Sequence, residues 1–232
     1  MNMIKKHAFL FTSLVMFVCF LAWTILVKTV DVEPFYSGTD LGFHSLNFAF
    51  GDFVTEYGKY EGLRTISDIL LFVSFGYVAL LGGIGIYQWI KLKSLKKVNP
   101  IFFFLAGAYV IVVLCYVFFE LVVVNYGPDT SEGLKASYPS SHVLIGVSFY
   151  LLSSFTLMKF LHVENETFKT LIHLSTVVLC LLTVFTRLFS ARHWCTDIIG
   201  SVLLSLSIYF FFIGMCRKFI PNSVINLSED DE

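Results

Sequence analysis

Two short stretches of the chain bring histidine together with hydroxyl, guanidinium and carboxylate groups. One reads YPSSH at residues 138–142, and the other runs from Arg187 through Arg192 and His193 to Asp197. His193 and Asp197 are four residues apart, so they share one face if a helix begins near His193. A carboxylate bound to one imidazole nitrogen fixes the tautomer and leaves the other nitrogen free as a nucleophile or base. Two histidines beside guanidinium groups therefore suit phosphoryl transfer.

Helices that cross a membrane must position these stretches. Of the 232 residues, 56% are hydrophobic and 14% are charged, whereas a soluble domain carries about 25% charged residues. The apolar residues fall into helix-length blocks, not into the alternating segments of about ten residues that build a β-barrel. The sequence therefore predicts an all-α polytopic membrane protein. Its six transmembrane helices are predicted at residues 8–30, 67–90, 101–124, 140–160, 168–189 and 195–216.

The distribution of cations predicts the orientation of these spans. Lysine and arginine are more frequent on the side of Lys5 and Lys6 than on the opposite side, and the side rich in cations is usually cytoplasmic. With six spans, both the N and the C terminus are then predicted to be cytoplasmic. We expect a multi-pass protein of the plasma membrane with its candidate site facing outside. The lysine clusters and the compact six-span design suit a bacterial membrane.

In this topology both candidate stretches lie on the same membrane face. The fourth and sixth spans enter from outside, so their outer ends are helix N-termini, which attract anions through unpaired N–H groups and the helix dipole. Ser140 follows Pro139 and is a suitable N-cap. Taken singly, each residue has an ordinary explanation, because Arg192, for example, can snorkel to lipid head groups. Their common location favours a single site.

Segment 31–66 is long enough to form structure of its own on the outer side. Glycines interrupt it repeatedly, but its leucines and phenylalanines make it too apolar for a solvated loop. We predict an interfacial or re-entrant helix at the membrane surface. This helix either acts as a lid or lateral gate for lipids or simply packs over the bundle. The whole chain, 1–232, is predicted to form a single membrane domain whose core is residues 67–216.

The sequence Pro-Ser-Ser-His at 139–142 resembles the second motif, Pro-Ser-Gly-His, of the type 2 phosphatidic acid phosphatase family, also called lipid phosphate phosphatases. A second stretch resembles the third motif of that family, Ser-Arg-x5-His-x3-Asp, with a glycine that often follows: Thr186, Arg187, His193, Asp197 and Gly200. The two motifs lie on the spans where the family carries them, and the resemblance covers about residues 67–216.

This resemblance implies a mechanism for the site. His193 would attack phosphorus to give a phosphohistidine, and Asp197 would orient it. His142 would protonate the leaving oxygen and then activate water for hydrolysis. The family needs no metal ion, so the resemblance implies no cofactor.

The first motif of the family, Lys-x6-Arg-Pro, is altered in this chain. Its positions fall on Glu120, Gly127 and Pro128, so both phosphate-binding cations are missing. Glu120 could repel an anionic substrate, or it could pair with Arg187 or Arg192. Losing one such donor costs roughly 2 to 4 kcal/mol of transition-state stabilisation, by analogy with an oxyanion hole.

The remaining phosphate-binding candidates come from three parts of the chain. The resemblance implies that Arg187 and the region of Ser140 and Ser141 hold the phosphate. Lys135 in the outer loop 125–139 and Arg192 beside the nucleophile are candidates to replace the missing cations.

The substrate is expected to be a lipid phosphate or a polyprenyl diphosphate, and phosphatidic acid and phosphatidylglycerophosphate are both compatible. Membrane lipids are the expected partners. The net charge of −1 and the lack of a long basic run give no sign of nucleic-acid binding, and the oligomeric state stays open. Two alternatives remain: a weak or inactive relative that binds or moves anionic lipids, and a metal site built from His142, His193 and Asp197.

Overall fold

The computed structural model describes residues 2–57, 60–130, 133–161 and 165–221. Within these residues the chain is mainly α-helical. A two-stranded antiparallel hairpin, β1 (Glu33–Pro34) with β2 (Asp40–Leu41), and a short 3-10 helix at Leu95–Lys97 complete the regular structure. The helices are α1 (Asn2–Thr29), α2 (His44–Tyr57), α3 (Tyr60–Leu92), α4 (Ile101–Leu121), α5 (Ser141–Phe160), α6 (Glu166–Leu188) and α7 (Cys195–Phe219).

The predicted all-α membrane fold with six spans is confirmed, since α1 and α3 to α7 are long and apolar enough to cross a bilayer. Most helix ends lie within a few residues of the predicted limits. Two differ in ways that matter for the site. Helix α3 begins at Tyr60, so Arg64 lies on the helix and not in the preceding segment. Helix α4 ends at Leu121 although the apolar run continues to Val124.

Helices α5 and α7 form the centre of the bundle. In their most hydrophobic stretches, 72% and 56% of residues are buried, against 17% in both α1 and α3. Small hydroxyl residues allow the close approach of these helices. Ser13 on α1 donates to the Ser207 carbonyl at 2.9 Å, and Ser207 on α7 donates back to the Ser13 carbonyl at 3.1 Å. The two helices at whose starts the candidate motifs lie are therefore the most buried of the six spans.

Segment 31–66 contains the helix that its composition suggested, α2, whose position relative to the membrane surface remains a prediction. Helix α2 packs over the start of α7. Asn47 donates to the Gly42 carbonyl at 2.9 Å and lies 3.1 Å from the Thr196 hydroxyl. Gly42, just before α2, lies against the end of α1, where a Cβ would be 1.7 Å from the Val27 carbonyl oxygen.

Parts of the predicted features lie outside the described residues. These are residues 58 and 59 of segment 31–66, residues 131 and 132 of loop 125–139, and the C-terminal stretch 222–232 that was expected to be cytoplasmic.

Candidate active site

Four helix ends meet at one end of the bundle and carry the candidate residues. They are the starts of α3, α5 and α7 and the end of α6. The alternating direction of the helices brings these ends together, as the topology predicted. The loop at 122–140 and helix α2 lie at the same end, so all sequence-predicted site residues belong to one region.

The backbone and Arg187 determine which nitrogen of His193 carries its hydrogen. His193 Nδ1 lies 3.0 Å from the Ser137 carbonyl oxygen, which can only accept, so Nδ1 is the protonated nitrogen. On the opposite edge of the ring, Arg187 Nη2 lies 3.1 Å from His193 Nε2 and donates to it. Nε2 therefore holds the lone pair, and it is the atom that can act as a nucleophile.

Asp197 supports His193 mainly through Ser137. Its Oδ2 accepts hydrogen bonds from the Ser137 hydroxyl at 2.5 Å and from the Trp194 backbone N–H at 3.1 Å, and it lies 3.7 Å from His193 Nδ1. The Ser137 hydroxyl also lies 2.9 Å from His193 Nδ1. The carboxylate is fully buried, so the relay is shielded from water. Ser137 is a site residue that no motif in the sequence indicated.

Burial and charge keep His193 neutral. Removal from water lowers the pKa of His193 below its ordinary value, and the nearby Arg187 guanidinium lowers it further, while Asp197 opposes both effects. A neutral imidazole is the form in which Nε2 can attack an electrophile.

His142 is anchored by a residue that the motifs did not indicate. Its Nε2 lies 3.0 Å from Asp68 Oδ1 on α3. A carboxylate accepts, so Nε2 carries the hydrogen and Nδ1 holds the lone pair. Asp68 lies within the predicted span 67–90, and an ionisable residue inside a span is a functional candidate by default. This rule could have indicated Asp68 from the sequence alone.

Several buried polar atoms of the site lack hydrogen-bond partners. Among the described residues these include Ser140 Oγ, His142 Nδ1, and both Nε and Nη1 of Arg187. Ser140 occupies the predicted N-cap position of α5, but its hydroxyl makes no capping bond. Buried donors without partners are rare, and each one needs an explanation. A phosphate group, with several acceptor oxygens, can satisfy such donors.

The loop before α5 is pressed against α7, which fixes Ser137 and Ser140. A Cβ at Gly200 would lie 2.6 Å from the Tyr138 ring, so only glycine allows this approach. Ser140 N donates to the Asp197 carbonyl at 3.3 Å, and the Ser201 hydroxyl donates to the Ser140 carbonyl at 3.1 Å. The glycine that follows the third motif thus has a packing role.

The altered first motif lies at the site. A Cβ at Gly127 would lie 3.5 Å from both Ser137 Oγ and the Arg192 carbonyl oxygen, which is ordinary contact distance. Glu120 is exposed, and it lines a small crevice that also includes Ser141 and His193. No ion pair from Glu120 to Arg187 or Arg192 is found among the described residues.

Two further arginines, Arg192 and Arg64, lie near enough for their charges to act on Arg187. Arg192 and Lys135, the two predicted replacements, are exposed, and the charge of Arg192 acts on Arg187. Arg64, which sequence reasoning assigned to the outer segment, also acts on Arg187. Its Nε donates to the Ser190 carbonyl at 3.0 Å.

A cavity of about 420 Å³ opens beside His193, within the size range of ligand pockets, about 300–1,000 Å³. Helix α2 lines one wall through Phe48 and Gly51, and Arg64 and Asp129 line another. Arg64 Nη2 lies 3.7 Å from Asp129 Oδ2. Helix α2 therefore borders the site.

Within the part of the chain that the structure describes, no three His, Cys, Asp or Glu side chains are grouped as metal ligands. His142 and His193 are instead held by separate carboxylates, Asp68 and Asp197. The geometry thus gives no support to the alternative of a metal site at His142, His193 and Asp197.

Comparisons with known proteins identify the family and a similar fold. A model of the PAP2 superfamily matches residues 78–220, which confirms the resemblance to the type 2 phosphatidic acid phosphatases. The fold is similar to the crystal structure of the first transmembrane PAP2 type phosphatidylglycerolphosphate phosphatase from Bacillus subtilis. The TM-score is 0.66 at 15% identity, over 89% of this chain and 96% of that chain. No curated protein matches the sequence at a significant level.

Proposed function

The chain belongs to the PAP2 superfamily, whose model covers more than half of its length, and from this premise we propose that it hydrolyses lipid phosphates through a phosphohistidine intermediate. Family and fold support a membrane lipid phosphatase. The observation that carries the mechanism is the unprotonated His193 Nε2, whose lone pair accepts a hydrogen bond from the Arg187 guanidinium.

In the first step, His193 Nε2 attacks phosphorus and the P–O bond to the lipid breaks. The electron pair of that bond leaves with the lipid oxygen, which takes a proton from Nδ1 of the protonated His142. The relay through Ser137 to Asp197 stabilises the positive charge that develops on His193. The products of this step are a lipid alcohol, or a lipid monophosphate if the substrate is a diphosphate, and the phosphoenzyme.

In the second step, His142 Nδ1 takes a proton from water as the water oxygen attacks phosphorus. The P–N bond breaks, inorganic phosphate is released, and His193 returns to its neutral form. His142 therefore alternates between acid and base, and each cycle returns both histidines to their starting state.

The phosphate is held by donors that have no hydrogen-bond partner in the part of the chain that the structure describes. Arg187 Nε and Nη1 and the Ser140 hydroxyl are buried and unpartnered, and Ser141 lies at the first turn of α5. Arg64, Arg192 and Lys135 supply further positive charge around this position. This set replaces the two cations that are missing at Glu120 and Gly127.

The substrate is a lipid phosphate or polyprenyl diphosphate that reaches the site from the outer leaflet of a plasma membrane, with no cofactor. The 420 Å³ cavity beside His193 accommodates the head group. The orientation is tested by placing a single cysteine at Lys135 and labelling intact cells with a membrane-impermeant thiol reagent. Labelling only after permeabilisation would reverse the topology.

The central experiment measures phosphate release by the purified protein in detergent, from a panel of lipid phosphates and diphosphates, in the presence of EDTA. His193→Ala is the test variant, and His173→Ala is the matched control on α6. We expect turnover in the wild type and the control, and a loss of roughly 10⁴-fold or more in His193→Ala, as when a catalytic nucleophile is removed. Sensitivity of wild-type turnover to EDTA would contradict the metal-independent mechanism.

Glu120 and Gly127 favour one second candidate, a relative that binds or moves anionic lipids without hydrolysing them. This candidate predicts lipid binding with no phosphate release by the wild type. It also predicts that Gly127→Arg creates activity, because an arginine there starts at contact distance from Ser137.

A further inference from the structure

The start of α3 contributes a residue that neither motif contains and that lies outside the matched range 78–220. We propose that Asp68 is the positioning residue for His142, holding the imidazole so that Nδ1 faces the leaving group. This inference rests on the proposed phosphatase function and adds a component to the same site.

The first support is the geometry of the contact. Asp68 Oδ1 lies 3.0 Å from His142 Nε2, which keeps the hydrogen on Nε2 and the reactive lone pair on Nδ1. The buried His142 Nδ1 has no hydrogen-bond partner among the described residues, so the nitrogen that can exchange a proton with the substrate is the one opposite Asp68. His193 is likewise anchored through one nitrogen, Nδ1, although its Nε2 also accepts a hydrogen bond from Arg187.

The second support is electrostatic. Protonated His142 must exist close to the Arg187 guanidinium, whose positive charge acts on it. Asp68 is the one carboxylate among the charged groups that act on His142 within the described residues. Its negative charge opposes that of Arg187 and favours the protonated imidazole that the first step consumes. An imidazole beside Arg187 without this carboxylate would lose its proton too readily to serve as an acid.

The third support is that α3 is fixed on both sides of Asp68. Tyr150 on α5 donates to the Leu70 carbonyl at 2.5 Å, two residues after Asp68. One turn before Asp68, the Arg64 side chain binds the Ser190 carbonyl at 3.0 Å. The adjacent Ser67 is buried. The carboxylate therefore sits on a rigid element although its own side chain is half-exposed, at 49%.

Because His142 protonates the leaving group, the role of Asp68 predicts different kinetic effects with different leaving groups. A lipid alkoxide is a poor leaving group and needs the proton from His142, whereas the phenolate of p-nitrophenyl phosphate leaves without one. A residue that acts through the general acid should therefore matter for the lipid and little for the aryl ester in the first step. A residue that only holds the fold together would affect both substrates equally.

The experiment compares kcat/KM for a lipid phosphate and for p-nitrophenyl phosphate, because this parameter reports the steps through formation of the phosphoenzyme. In Asp68→Asn we expect a loss of roughly 10- to 100-fold with the lipid and of less than about threefold with the aryl ester, as part of the effect of a general acid. Asp68→Glu keeps the charge and should recover much of the lipid activity. Asp40→Asn, an exposed carboxylate on β2, is the control for a change of charge.

Equal losses with both substrates would overturn the proposal, and so would wild-type activity of Asp68→Asn on the lipid. Failure of this inference is distinguishable from failure of the proposed function. If the wild type and Asp68→Asn hydrolyse the lipid equally while His193→Ala does not, the phosphatase function is supported and the role of Asp68 is contradicted. If the wild type releases no phosphate from any substrate, both the proposed function and the role of Asp68 are contradicted.

Discussion

The two histidines of the site are held in opposite ways. In the nucleophile cluster, formed by His193, Ser137, Asp197 and Arg187, the His193 side chain is 8% exposed and its carboxylate partner is fully buried. In the α3 cluster, formed by His142, Asp68, Arg64 and Asp129, the His142 side chain is 22% exposed and its carboxylate partner is 49% exposed. The first cluster surrounds its imidazole on both edges, whereas the second holds its imidazole on one edge only.

The difference follows from what each histidine must do. A nucleophile must be aimed at phosphorus and kept free of protons, which favours burial and several fixed partners. An acid–base group must meet a water molecule in the second step, which favours the more open position of His142 and Asp68. The nucleophile cluster is built from the central helix α7 and the loop pressed on it, while the α3 cluster is built across a more peripheral helix.

The largest expected contrast comes from removing the same charge from each cluster. Arg187→Gln should lower kcat by roughly 10²- to 10³-fold, the cost of losing one buried donor to a developing negative charge. Arg64→Gln should lower kcat/KM by less than about tenfold, because its guanidinium is partly exposed and interacts with Asp129 in a more aqueous setting. Steady-state kinetics on one lipid phosphate measure both.

Each variant has a control that keeps the charge. Arg64→Lys should restore most of the lost activity, since a solvent-accessible cation acts mainly as a point charge. Arg187→Lys should not, since the buried position uses the fork of the guanidinium. Equal effects of the two glutamine substitutions would remove the distinction between the clusters.

The sequence predicted the nucleophile cluster better than the α3 cluster, for a physical reason. His193, Asp197 and Arg187 lie within a short stretch at a helix start, where spacing along the chain implies closeness in space. Asp68 and His142 are 74 positions apart, and their contact depends on how α3 packs against α5. Hydropathy indicated where these spans lie, but it carries no information on their rotation about their axes.

The remaining discrepancies have the same origin. Ser137 precedes the second motif and is indistinguishable from an ordinary loop serine until Gly200 lets the loop approach α7. Arg64 was assigned to segment 31–66 because the polar first turn of α3 lowers its hydropathy. Contacts that depend on one glycine or on one extra turn of helix become visible only in three dimensions.

A smaller effect is expected from Ser137→Ala, which tests the nucleophile cluster. As for Asp68, kcat/KM is compared between a lipid phosphate and p-nitrophenyl phosphate. The substitution removes the hydroxyl between Asp197 and His193 but keeps the backbone carbonyl that fixes the tautomer. We expect a loss of roughly tenfold in kcat/KM, the value of one hydrogen bond to a charged group. The loss should be the same for lipid phosphate and p-nitrophenyl phosphate, because Ser137 acts on the nucleophile and not on the leaving group.

The matched control for Ser137→Ala is Ser37→Ala, an exposed serine between β1 and β2. A loss confined to the lipid substrate would mean that Ser137 contributes to proton delivery, and the two clusters would then share one function.

The smallest expected effect is a displacement of the pH profile. The pKa of His193 is lowered by burial and by Arg187, so the imidazole stays neutral at pH values below its ordinary pKa of about 6.5. The acid limb of kcat/KM, which falls when His193 becomes protonated, should therefore lie below pH 6.5 in the wild type. Removing the positive charge in Arg187→Gln favours protonation and should move this limb to higher pH. Both proteins are measured with the same lipid phosphate, so ionisation of the substrate cancels in the difference. A limb that stays in place, or moves to lower pH, would show that Arg187 does not control the charge of the nucleophile, and its role would then be confined to holding phosphate.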